Sequence, residues 1–163
     1  MIQDIYNYFQ QLHQQLEIDN YVYGQDFDDL RLRVERLFGS WLFVDYGDIS
    51  FTEASTPGSL LCTMRLAVTV AEKQPDRADM NERMMSSDRM LHQLNKLYAH
   101  LMADAERGTV AWLDRRTVHR AQMEPFAARE LQSYGWTLFI DIDAYDALGT
   151  TDLKRQILKE KNA

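Results

Sequence analysis

The chain predicts an α+β domain: a mainly antiparallel sheet covered on one face by two amphipathic helices. Three observations carry this. Residues 2–17 and 79–108 place apolar side chains at helical spacing. The segment STPGSLLCTMRLAVTVAEKQP alternates strictly, as a strand with one buried face does. The other strand-like segments follow one another through short connections, which favours antiparallel pairing and a layer of helices on the sheet.

The first helix carries Ile2, Ile5, Phe9, Leu12 and Leu16 on one side, with Gln10, Gln11, Gln14 and Gln15 opposite. IDNYVYG breaks that pattern. FDDLRLRVERLFG reads two ways. Phe27, Leu30, Val34 and Leu37 fit a helix with Asp26 as cap and Gly39 as stop, whereas Leu30, Leu32 and Val34 alternating with charges fit a strand. The helix is the reading adopted. WLFVDYGDISFTE, rich in β-branched and aromatic residues, is one strand or a bent pair around Gly47.

In the clearest strand, Cys62, Met64, Leu66, Val68 and Val70 point one way, toward the helices. Pro57-Gly58 and Pro75 punctuate its ends. The second helix draws its stripe from Met80, Met84, Leu91, Leu94, Leu97, Tyr98 and Leu101 and stops at Gly108. Its methionines read as core filler. VAWLDRRTVHRAQMEP and ELQSYGWTLFIDID are two closing strands joined around Pro125-Phe126. The domain spans residues 1–146. The tail, 147–163, is a short helix or frays.

Composition narrows the function classes. With 163 residues, 45% hydrophobic and 26% charged, the chain supports one domain with a core. Eighteen Lys plus Arg against 25 Asp plus Glu give a net charge of −7. Phosphate affinity needs clustered cations, so neither nucleic acid nor an anionic membrane is an expected partner. The one cysteine, Cys62, permits no intrachain disulfide or cysteine-based zinc motif, and it reads as a buried hydrophobe. MIQDIYNYFQQLHQQ lacks the basic and apolar regions of a signal peptide, and no apolar run approaches the ~20 residues of a membrane span. A reducing cytoplasm is the expected location.

The search for chemistry starts at Asp141 and Asp143, which share a face of the last strand with Thr137 and Phe139. Paired acids hold Mg²⁺ only with further oxygen ligands, for which Asp45, Asp48 and Glu53 are the candidates. A nuclease-type site also wants a strand acid followed two residues later by lysine, whereas Glu72 and Lys73 are adjacent. Asp141 and Asp143 are therefore read as the wet face of an amphipathic strand, with no metal. His13, His92, His100 and His119 form no ligand-type spacing, and neither a glycine-rich phosphate loop nor a Gly-x-Ser-x-Gly elbow occurs. No catalytic residue and no cofactor is assigned.

Arg115, Arg116 and Arg120, with His119, make the one basic cluster. It reads either as a solvated strand edge or as an inter-subunit contact meeting acids such as Asp26, Asp28 and Asp29 of a neighbour. These arginines are the interface candidates.

RTVHRAQMEPFAARELQSYGWTLFIDIDAY, a strand, a loop and a Gly-aromatic start to an amphipathic strand, resembles the closing hairpin of bacteriophage tail-terminator and tail-completion proteins. The order of elements over residues 1–146 is similar too. The resemblance implies a non-catalytic structural protein of the virion or prophage. It would act as a homo-oligomeric ring, with itself and other tail or head-completion proteins as partners. Two other classes stay open. One is a small-molecule-binding or enzymatic domain with a pocket lined by Trp41, Phe43, Trp112 and Trp136. The other is a monomeric adaptor for one protein partner.

Overall fold

The computed structural model describes residues 2–23, 27–53, 60–75, 78–145 and 150–161. Its elements are α1 (Ile2–Gln15), β1 (Asn20–Tyr23), α2 (Phe27–Val34), β2 (Ser40–Glu53), β3 (Leu60–Lys73), α3 (Met80–Arg107), α4 (Arg115–Val118), β4 (Gln122–Ala128), β5 (Ser133–Tyr145) and α5 (Thr150–Lys161). The α+β class holds. The five strands form one sheet in the order β1-β2-β3-β5-β4.

The sheet is mixed. The pairs β2–β3, β3–β5 and β4–β5 are antiparallel, whereas β1 runs parallel to β2. Parallel neighbours need a crossover, and α2 lies between β1 and β2 in the chain. α1 and α3 cover one face of the sheet, as expected. The ambiguous segment is a helix, and it covers the other face.

Two cores result. The larger joins Ile5, Phe9 and Leu12 of α1 and Met90, Leu94, Leu97 and Leu101 of α3 to Met64, Leu66, Val68 and Val70 of β3 and Leu138, Ile140 and Ile142 of β5. Cys62 is buried as well, so the alternation of β3 is borne out. The smaller core joins Leu30 and Val34 of α2 to Val22, Trp41, Phe43, Ala71, Ala128 and Leu131. Between Trp41 and Val44, β2 is therefore buried on both sides.

β2 is one strand, with a register shift between Tyr46 and Ile49 that absorbs Gly47. α2 ends at Val34, so Gly39 is not its stop. Gly39 adopts φ +78° and packs on the Asp19 carboxylate, which accepts 2.8 Å bonds from both the backbone N–H and the hydroxyl of Ser40. α3 starts in a capping box: the Glu82 N–H donates to Asp79 at 2.8 Å, and the Asp79 N–H donates to Glu82 at 3.0 Å. Gly108, at φ +64°, ends α3 as expected.

The closing segment differs from its sequence reading. The first strand begins only at Gln122, and Arg115–Val118 form a helical turn before it. Asp114 is the reason: its carboxylate caps that turn by accepting from the Arg116 N–H at 2.7 Å. Pro125 and Phe126 lie inside β4, opposite Trp136 and Gly135. Proline is tolerated there because β4 is an edge strand. The connection to β5 is the turn Arg129–Leu131. The tail forms α5. Asp26 and the Pro57-Gly58 turn lie outside the described residues.

Candidate protein-interaction surface

Asp141 and Asp143 lie on the sheet face opposite the larger core and have partners. Across the β3–β5 register Arg65 Nε donates to Asp141 at 2.9 Å, and the Thr63 hydroxyl donates to Asp143 at 2.6 Å. The Arg65–Asp141 bond, and the negative charge of Asp141, raise the Arg65 pKa. Asp45 and Asp48 lie on β2, beyond β3, and the side chain of Glu53 is outside the described residues. Among the described residues no group of three His, Cys, Asp or Glu converges on a point.

The four aromatics expected to line one pocket are split among separate environments. Trp41 and Phe43 belong to the smaller core, where Trp41 meets Phe126 edge-on with centroids 5.6 Å apart. Trp112 packs in the larger core against Tyr8, at 5.4 Å. Trp136 lies beside α3, where its indole N–H donates to the Ser87 carbonyl at 3.2 Å and its hydroxyl at 3.1 Å. Alternation puts Trp41 and Trp136 on opposite faces, which no sequence spacing between strands of unknown order reveals.

Arg115, Arg116 and Arg120 are all exposed on or just after α4, not along a strand edge. Arg116 bonds the Asp114 carboxylate with Nε at 3.3 Å, and the bond holds the Asp114 pKa below the usual carboxylate range. Arg115 reaches His119 at 3.5 Å within the same turn.

A polar cluster lies beneath α3. Ser86 is fully enclosed under α3; its hydroxyl donates to Glu72 at 2.5 Å and accepts from Gln74 at 2.5 Å, while Arg89 donates to the same Glu72 oxygen at 2.7 Å. This ties α3 to the end of β3. The Ser86 hydroxyl is enclosed with both of its bonds spent on neighbours, and the cluster reads as a structural clamp.

The surface that stands out is the first half of α3. Its buried stripe is Ser86, Met90, Leu94, Leu97 and Leu101. Met80 and Met84 are not in it; with Met85 they are 73%, 64% and 56% exposed. At about 100° per residue, Met80, Met84 and Leu91 sit about 80–120° round the helix from Met90. Ser86 is the polar member of the buried stripe, so apolar spacing alone runs this flank and the stripe together.

The flank overhangs edge strand β4. Met80, Arg83, Met84 and Ser87 form one wall of an open trough of 640 Å³, and Pro125, Phe126, Ala127, Arg129, Tyr134 and Gly135 form the other wall and the floor. The Arg83 guanidinium lies over the Tyr134 ring, 5.4 Å from its centroid. A second depression, sharing Met84 and Ser87, continues past Met85, Asp88 and Leu91 to Trp136. Flexible thioethers on an open surface adapt to the shape of an apolar partner. Chemically the arrangement offers contact area and an edge strand, not a reacting group. The sequence signal for it was the width of the α3 stripe, too broad for one buried seam.

Among the described residues no helix is long and apolar enough to cross a membrane. No protein-family model, curated protein or solved structure matches this chain.

Proposed function

We propose that this protein is a non-catalytic assembly protein that works by self-association. Its closest description is the ring-forming tail-terminator and tail-completion proteins that its closing hairpin resembles. The observation that carries the reading is the exposed methionine flank Met80, Met84 and Met85 beside edge strand β4. Exposed apolar side chains rimmed by charge are costly in a monomer and are relieved by a partner. The net charge of −7 favours protein over nucleic acid as that partner, and a cytoplasmic site of assembly fits the single reduced cysteine.

Arg115, Arg116 and Arg120 are proposed to add a cationic patch to the assembly, since an acidic subunit overcomes self-repulsion by pairing unlike patches head to tail. Light scattering across a concentration series tests the reading: the chain is expected to form a discrete oligomer. Arg115→Glu with Arg116→Glu is expected to weaken that oligomer, most at low salt. A chain that stays monomeric at high concentration and turns over a small molecule overturns it.

A further inference from the structure

We propose that helix α5 of one copy docks into the trough between α3 and β4 of a second copy, making the contact head to tail. The inference rests on the assembly reading and names the occupant of that surface.

α5 exposes an apolar side. Leu153, Ile157 and Leu158 are 54%, 50% and 50% exposed, and every described side chain of the helix is exposed. An isolated helix of 12 residues is marginal in water, so its stabilisation has to come from packing that side. The methionine flank is the matching unpartnered surface on a rigid element.

Charge agrees. Asp152–Lys161 holds Lys154, Arg155, Lys159 and Lys161 against Asp152 and Glu160, a net of +2, which leaves −9 on the rest of the chain. Asp88 lines the depression that continues the trough, and Asp79 and Glu82 are exposed in the turn of α3 that carries Met80. The trough's own Arg83 and Arg129 offer counter-charges to the two acids of α5.

Reach assigns the contact to a second copy. The trough floor lies at Gly135, whereas α5 follows the far end of β5 at Tyr145, ten residues on. At about 3.3 Å per residue that is about 33 Å. The five steps from Tyr145 to Thr150 cover at most about 18 Å. Eight further helical residues to Leu158 add about 12 Å. Within one chain, then, only the Leu158 end of α5 approaches the floor even when fully stretched, and Leu153 stops about 10 Å short, so the apolar side cannot seat there as a whole. A neighbour has no such limit, and repeating the contact builds a ring or filament.

The test is disulfide trapping in the full chain. Met84→Cys with Leu153→Cys is oxidised beside a control, Leu32→Cys with Leu153→Cys, whose first position is on α2 across the sheet; native Cys62 is buried. An interchain disulfide yield several-fold above the control is expected. In parallel, light scattering follows Leu153→Asp with Ile157→Asp, which is expected to lose the oligomer and keep the melting temperature. A wild-type oligomer without the interchain bond overturns the docking and leaves assembly standing. An intrachain bond overturns the docking in favour of self-capping. A monomeric wild type without the bond overturns both.

Discussion

Gly135 on β5 faces Ala71 on β3 so closely that a Cβ on the glycine would lie 2.6 Å from the Ala71 Cα and would also strike the Val70 carbonyl. Both partners are sheet backbone, which has no rotamer to yield. Gly135 therefore holds the twisted start of β5 against β3, under the trough. Gly135→Ala is expected to destabilise the fold by about 1–3 kcal/mol through overpacking. Chemical denaturation checks it, and a variant with wild-type stability would show that the two strands do not meet this closely.

Val68 is fully buried at the centre of the larger core, between β2 and β5. Val68→Asp places a carboxylate there without a partner. The expected loss is on the order of 3 kcal/mol or more, read as a lowered melting temperature or an insoluble product.

Ser86 is the polar member of an otherwise apolar helix stripe. Ser86→Ala removes a donor from the half-buried Glu72 and an acceptor from the buried Gln74. The expected cost is about 1–3 kcal/mol, with the fold retained by circular dichroism. A neutral result would show that Arg89 and Gln74 satisfy Glu72 without the hydroxyl.

Tyr6 and Tyr8 govern the alkaline limit. Burial, then the nearby Tyr46 and Asp45, push the Tyr6 hydroxyl up to about 12. Burial, then its 2.7 Å bond to Asp104, raises Tyr8 further. Above the ordinary value of 10.0 the unfolded chain ionises these groups while the folded one keeps them neutral. Their contribution to stability is therefore whole below that value and falls as pH rises toward about 12. Melting temperature against pH should decline over that window, and tyrosinate absorbance should show two residues that ionise late. In Tyr8→Phe the decline should be shallower.

Asp141 is expected to bind no catalytic metal, since Arg65 already occupies its oxygens. Calorimetric titration with Mg²⁺, Mn²⁺ and Ca²⁺ should give no tight site. Sub-micromolar binding lost in Asp141→Asn would revive a nuclease reading.

Sequence alone determined what local periodicity encodes. Cys62 to Val70 alternate, and every second residue is buried; α1 and the C-terminal half of α3 follow the helical period and pack as that period requires. The stop at Gly108 acts over a few residues and is equally local. The surface of the second face was not legible, because it depends on which strands become neighbours. β1 is four residues long, too short for its own pattern to register, yet its parallel pairing with β2 sends α2 across the sheet and buries Trp41 and Phe43 there. The same holds for the candidate site. Met80 and Met84 have the character of core residues, and only the position of β4 at the sheet edge, under an overhanging α3, leaves them open to a partner. Burial depends on what stands opposite a side chain, and that is set by strand order across the whole chain, not by the residue's own neighbours in sequence.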